Sequence, residues 1–551
     1  MDLSIKKILT AALVSVLMCG CAAIPDKPTE STSEATADAS ETDEATSEAP
    51  PPEESAVKGY DIEKSEKLIK LNAEGGSFSG IVRTEGDYDG NGYVMLDEGT
   101  KLVHMAEDLT SQHYRIAISA YSYSGAAITL TTAEGIVGVF HIPPSESADF
   151  SMYAIDSVYL AEGPSLFTFQ MTEGSAALDY IVIENADAAP DTCYRTAVSV
   201  VGKNTGINTI STMKYLSDSY GKRVLTAQNV TPGTNAEIDA VHEETGRYPA
   251  IRCGDLMYSS SYADEKFAET AEKEIELALQ WGRDSGIISM GWHWFSPVEY
   301  GSDFYSDGTS FDLDDAVTEY NIASSDIEEI EGMYESGMIT ENCLLLIKDI
   351  DRMAEVLSRF KKEFLTVIWQ PLPDGDTGLY WWGGNAESYR WLWNVMFERM
   401  NSYHGLNNLI WVWNGTDPQF YPGDDVCDIV GHGSYLNSSA SFAGVFSALA
   451  HISPTDTKPV AITGCDRLPD PGMLRRDNAM WLWTASAGGS YTIREDGSIN
   501  ESYNNWQRLN DTYNSLMCVT RDELPDMSTY GIEYMDDELS SVPETTDITA
   551  E

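Results

Sequence analysis

Between about residue 60 and residue 188 the apolar positions fall in short runs with period two. "YRIAISAYS", "AAITLTTA", "GIVGVFHI", "SLFTFQMT" and "LDYIVIE" are rich in β-branched and aromatic residues, and Gly, Ser and Asp lie between them. No helical period competes with this reading. The pattern predicts an N-terminal antiparallel β-sandwich over residues 58–190. From about residue 195 the pattern changes. "RVLTAQ", "YPAIRCG", "GIISMGWH", "FLTVIWQPL", "NLIWVWN", "DIVGHGS", "KPVAITG" and "AMWLWTA" read as strands, and amphipathic stretches such as "ADEKFAETAEKEIELALQWGRDS" and "CLLLIKDIDRMAEVLSRFKKE" lie between them. Eight β-α units over roughly 330 residues predict a (β/α)8 TIM barrel, here placed at residues 195–535.

The chain ends carry a different signal. Lys6 and Lys7 precede "ILTAALVSVLMCGC", an apolar run too short to span a bilayer. Residues 1–21 are therefore expected to be an export signal. Gly20 before Cys21 resembles the lipobox of bacterial lipoproteins, which implies a diacylglycerol on Cys21; an ordinary secretory signal is the alternative. Residues 22–57 hold Ser, Thr, Pro, Asp and Glu with almost no large apolar residue, so they cannot bury enough surface to fold and read as a disordered tether. Residues 536–551 form a similar acidic tail. The expected location is exported, at a cell surface or membrane.

Charge narrows the choice of partner. The chain has 88 acidic against 34 basic residues, a formal charge of -54, which repels phosphate backbones and argues against nucleic acid. A neutral polysaccharide is compatible. The cysteines beyond Cys21 are scattered without a CxxC or Cys/His cluster, which argues against zinc and leaves buried thiols or isolated disulfides open.

The candidate chemistry lies in "IWQPLPDGDTGLYWWGG", Ile368 to Gly384, where Asp374 and Asp376 precede Tyr380, Trp381 and Trp382. Carboxylates beside aromatic rings suit a sugar-cleaving site. The ordered series "GKRVLTAQ", "RYPAIRCGD", "GIISMGWHW", "VIWQPLPDGDTGLYWWGG", "NLIWVWNGTDPQFYPGDDVCDIVG", "KPVAIT" and "MWLWTA" resembles glycoside hydrolase family 26, of the endo-β-1,4-mannanase type. The preceding block resembles a family 35 or 6 carbohydrate-binding module, through "NGYV" from Asn91 and the closing "LDYIVIE".

That resemblance implies retaining hydrolysis by two glutamates, an acid/base after strand four and a nucleophile after strand seven. At the family's "RPLHE" this chain has Gln370, Pro371, Leu372, Pro373 and Asp374, and after the intact "KPVAIT" the nucleophile position is Gly464. Glycine forms no glycosyl ester. Asp466 is the possible substitute, two residues on and facing the same way in an extended strand. The resemblance also implies sugar contacts at His293, Trp294, Tyr380, Trp381, Trp382 and Tyr435. At least one of the adjacent Trp381 and Trp382 is expected to face the cleft, while for His293 the plainer reading is a strand-end histidine satisfied by carboxylates. Trp411 and Trp413 share a strand face and are expected either to fill the barrel or to bind sugar. Asp376 is expected to be a solvated loop charge.

No cofactor is expected in the barrel. Asp87 and Asp89 in "GDYDGNG" lack full EF-hand spacing and read as a solvated turn. The module resemblance implies instead a structural calcium at Glu74 and Asp179. Two functions follow as expectations: a lipid-anchored protein binding β-mannan or a related β-glycan with degraded catalysis, or an active mannanase using Asp374 and Asp466.

Overall fold

The computed structural model describes residues 68–80, 82–85, 92–298 and 303–532. The signal with Cys21, the acidic linker, Asp87, Asp89, Asn91 and the acidic tail lie outside the described residues.

The N-terminal region is β-rich and antiparallel. Its backbone is one strand of 23 residues, Gly163–Asn185. The first part pairs with Lys101–Leu109 on one side and Ala126–Thr132 on the other. The second part pairs with Tyr93–Asp97 and Leu68–Asn72 on one side and Gln112–Tyr121 on the other. "SLFTFQMT" and "LDYIVIE", expected as two strands, are thus halves of one. The intervening "EGSAA" looks like a turn in sequence, but the chain passes it with a register shift between Met171 and Glu173 and a left-handed Gly174 at φ 70°. A bulge bends the strand without ending it. Phe167, Phe169 and Met171 alternate into the core before the bulge, and Ile181 and Ile183 after it.

The second region is the barrel anticipated from the pattern. Its strands, numbered here in barrel order, are β1 (Val224–Asn229), β2 (Ile251–Asp255), β3 (Ile287–Trp292), β4 (Val367–Pro371), β5 (Leu409–Asn414), β6 (Ile429–Ser434), β7 (Val460–Cys465) and β8 (Trp483–Ser486). Each pairs in parallel with the next, and β1 pairs with both β2 and β8, so the sheet closes. Strands buried on both faces read as continuous apolar runs, and all six residues of β5 are buried.

Helices cover the barrel. Glu341–Lys362 starts on Thr340, whose hydroxyl accepts from the Cys343 amide, and buries Leu346, Ile350, Met353, Leu357 and Phe360 along one stripe. Trp411 and Trp413 neither fill the interior nor meet the cleft. They face the helix layer, Trp411 against Trp393 and Phe397 and Trp413 against Tyr421, because their neighbour Asn414 takes the inward position. Cys193, Cys253, Cys343, Cys427, Cys465 and Cys518 are buried free thiols.

The β-rich region is fastened to the barrel by polar side chains. The Asp477 carboxylate accepts from His113, Ser441 and Arg476, and Arg476 also grips Glu134 with two nitrogens.

Candidate functional site

The loop after β4 is held in an unusual backbone. Leu372 and Asp374 are left-handed, at φ 52° and 49°, a conformation that costs a residue with a Cβ and persists only where surroundings fix it. Here they do. The Tyr389 hydroxyl donates to the Leu372 carbonyl and the Trp382 indole N–H to the Pro373 carbonyl, both at 3.0 Å. Gly375 backs onto the Tyr389 ring, leaving no room for a Cβ. The result is a fixed Asp374 at the C-terminal mouth. Burial, then the nearby Asp376 charge, pushes its carboxyl up to about 6, against a smaller opposing pull from His293.

His293 follows β3, and its Nδ1 lies 2.6 Å from Asp255 Oδ2, at the end of β2. Burial opposes a charged imidazole, but the Asp255 carboxylate, by charge and hydrogen bond, and Asp374 outweigh it, so the His293 pKa is raised. The side chain remains about one-third exposed (36%). It is both carboxylate-paired and open to the cleft.

Across the mouth, β7 presents Gly464. A Cβ there would lie 2.5 Å from the Tyr435 hydroxyl oxygen and 3.3 Å from its Cζ. The phenol of Tyr435, just beyond β6, therefore fills the space in which a side chain at 464 would begin. Beneath it runs a chain of neutral groups. Gln370 donates to Ser289 Oγ, Asn414 to Gln370 Oε1, Thr463 Oγ1 to Asn414 Oδ1, and Asn229 to the Thr463 carbonyl. A hydrogen-bonded neutral network thus connects the strand ends.

Several expected site residues are placed differently. Trp294, Trp381 and Trp382 are 0%, 4% and 0% exposed, so neither of the adjacent tryptophans faces the cleft. Trp381 donates to the Trp294 carbonyl, and Trp382 lies flat against Tyr380, which is itself covered by Tyr305. Two neighbouring rings bury together because the loop after β3 folds over them, which their spacing could not reveal. Asp376 is an anchor rather than a solvated charge: its Oδ2 accepts from the Thr416 amide and hydroxyl and the Asp417 amide. Asp466 is only 5% exposed, and its Oδ2 accepts from the Asn437 amide, which ties it to the loop after β6.

Tyr491 and Tyr503 were not anticipated. Tyr491 stands beside Tyr435 and Tyr503 beside Tyr491 in a tilted series, with centroids 5.7 and 4.9 Å apart. Their sequence context, in the irregular segment after β8, carries no periodic signal.

In the β-rich region the register sets Asn72 opposite Tyr180, which brings Asp179 beside the Ala73–Gly75 turn that carries Glu74. Glu74 Oε2 is a buried carboxylate oxygen without a hydrogen-bond partner. Among the described residues no three His, Cys, Asp or Glu side chains cluster for a metal.

A closed parallel (β/α)8 barrel carries its functional groups at the C-terminal ends of its strands, and Asp374, His293 and the tyrosine rings stand there. Residues 201–523 match glycosyl hydrolase family 26, and the chain belongs to that family. A mannan endo-1,4-β-mannosidase of Thermothelomyces thermophilus is 27% identical over 484 residues, covering 84% of this chain and 92% of its own. Mannan endo-1,4-β-mannosidase B of Piromyces sp is also 27% identical, covering 85% and 79%. Among solved structures, the Podospora anserina GH26-CBM35 β-(1,4)-mannanase superposes with a TM-score of 0.55 at 25% identity, covering 84% of this chain and 99% of that one.

Proposed function

We propose that this is an exported, lipid-anchored protein that binds β-mannan or a related β-glycan on a family 26 scaffold whose hydrolysis has been lost. One observation carries the reading: position 464 has no side chain, and the Tyr435 phenol takes its space. A retaining mechanism needs a carboxylate there to attack the anomeric carbon. A neutral phenol whose pKa is raised, by burial and then by the Asp374 charge, is no replacement. What remains is a cleft that keeps His293, Asp374 and exposed rings, groups that hold a sugar without cleaving it.

The other parts fit a retention role. Cys21 would carry the lipid, and the acidic segment after it would lift the folded part off the membrane. The β-rich region would act as a carbohydrate-binding β-sandwich module. A calcium ion there would be held by Glu74, whose buried oxygen lacks a partner, and by Asp179. Calcium would supply the charge that neutralises a buried carboxylate.

A second reading is favoured by one feature, the Asp374 pKa near 6, which suits a general acid. It makes the protein a working endo-β-1,4-mannanase with Asp466 as base. Against it, Asp466 is buried and engaged with Asn437.

The two separate in one experiment. Purified protein is run in a native gel containing β-mannan, and the same preparation is assayed for reducing ends released from that polymer. Retardation without release is expected. Steady release of reducing sugar that Asp374→Ala abolishes would establish the enzyme instead.

A further inference from the structure

The barrel carries a second polar hollow, on the face opposite the mouth. It lies below the start of β5, has a volume of about 300 Å³, and is lined by Lys203, Asn204, Asn401, Ser402, Gly405 and Asn407. The chain enters it through a π-helical turn, Arg399–Tyr403, directly after the helix Ala386–Glu398. Such turns are rare and recur at functional sites. Asn401, within that turn, is 5% exposed. Its Nδ2 donates to the Phe397 carbonyl at 2.9 Å, which fixes the amide, and its Oδ1 is left buried without a hydrogen-bond partner among the described residues. That oxygen faces the Lys203 segment, since a Cβ on Gly202 would stand 3.1 Å from it. A buried acceptor left unpaired costs free energy and calls for a reason.

The walls are tied to one another without any ligand. The Gly206 amide donates to the Asn407 carbonyl, Asn407 Nδ2 to the Asn204 carbonyl, and Lys361 Nζ to the Gly405 carbonyl. Beside them stands Phe364, 79% exposed and left-handed at φ 58°. Its amide donates to the Lys361 carbonyl, its own carbonyl accepts from Asn208, and the next carbonyl, of Leu365, accepts from Asn408. A bare ring in a backbone that disfavours it adds little to the fold.

The chemistry of the lining selects an occupant. The Asn401 oxygen asks for a donor. The Lys203 ammonium, no closer than 3.7 Å to Glu398, asks for an acceptor and repels a cation. An anion would meet the Asn401 oxygen and a chain of formal charge -54. Hydroxyl groups both donate and accept, and the Phe364 ring offers a face to the C–H side of a pyranose.

We propose that this hollow is a second saccharide site, remote from the cleft, which takes an uncharged pyranose unit of a polysaccharide. Asn401 accepts from a sugar hydroxyl, Lys203 donates to another, and Phe364 covers the apolar face. The choice of β-mannan as its glycan rests on the proposed function; the site itself does not depend on whether the cleft cleaves.

The test is electrophoresis of the full chain in native gels of graded β-mannan content. Phe364→Gly removes the ring and suits the left-handed backbone, so it should weaken retention roughly three- to tenfold while raising the melting temperature. A role in packing alone would lower the melting temperature and leave retention unchanged. Asn401→Leu should weaken retention comparably, and Phe364→Tyr should keep it. If Phe364→Gly and Asn401→Leu are retained as strongly as the unaltered chain, the hollow is no sugar site and the retention reading of the cleft stands. If the unaltered chain is not retarded at all, both fall together. A rise in melting temperature with inorganic phosphate that Asn401→Leu abolishes would replace the sugar by an anion and overturn the proposal. Should Asn401→Leu lose its fold, the two Phe364 variants decide the matter.

Discussion

Asp374 is a partly buried acid whose pKa the fold raises, and that makes it a stability probe as well as a site residue. Its pKa is raised from an ordinary value near 3.8 to about 6, so the folded state binds this proton more tightly than the unfolded chain. The stability it contributes is complete below about pH 4 and is lost as pH rises through 6. Asp374→Asn, which keeps the shape and removes the charge, should therefore raise the melting temperature at pH 8. After discount for the group's partial exposure the gain is on the order of 1 kcal/mol, and it should vanish near pH 4. An equal gain at both pH values would locate the effect in packing instead. The same scale governs revival. Asp374→Glu with Gly464→Glu puts two glutamates back, yet the new Cβ at 464 meets the Tyr435 oxygen and Gln370 replaces the expected cation. No measurable mannan hydrolysis is expected from that double variant.

At the scale of elements, the eight barrel strands were legible because both faces of each are buried, so the apolar runs stand out and Gly, Pro and Asp punctuate them. What the pattern could not convey was which face a ring takes and what covers it. Trp381 and Trp382 look like a sugar platform until the loop after β3 is seen folded over them, with Tyr305 on Tyr380. Tyr491 and Tyr503 lie in irregular chain, where no period exists to read. Asp376 shows the same limit, since its three donors come from residues 40 and 41 positions away. It joins the loops after β4 and β5. Asp376→Ala leaves the Thr416 and Asp417 amides without this acceptor and should cost roughly 1–3 kcal/mol, measured by urea unfolding. The Thr416 loop should also become more open to protease, while the barrel as a whole remains folded.

For the whole molecule the decisive joint is that between the β-rich region and the barrel. Asp477 is 3% exposed and serves His113, Ser441 and Arg476 together, while Arg476 also holds Glu134 and lies 3.9 Å over the Tyr159 ring. Burial opposes the Asp477 charge, but the hydrogen bonds of His113, Arg476 and Ser441 outweigh it, and its pKa is lowered. A depressed carboxylate stabilises above its unfolded pKa near 3.8 and loses that contribution as pH falls through the folded value. The joint should therefore weaken only in strong acid. Removing Arg476 is expected to be more damaging than its partial exposure suggests, because Asp477 would keep its charge with one fewer donor in a buried place. The unaltered protein should unfold in one calorimetric transition from pH 5 to 8, and Arg476→Ala should divide it into two, the first belonging to the β-rich region. A chain of formal charge -54 also repels itself, so added salt would raise both transitions by screening without rejoining them. If Arg476→Ala still melts in a single step at every salt concentration, the apolar contacts alone couple the two regions and the ionic cluster merely decorates their seam.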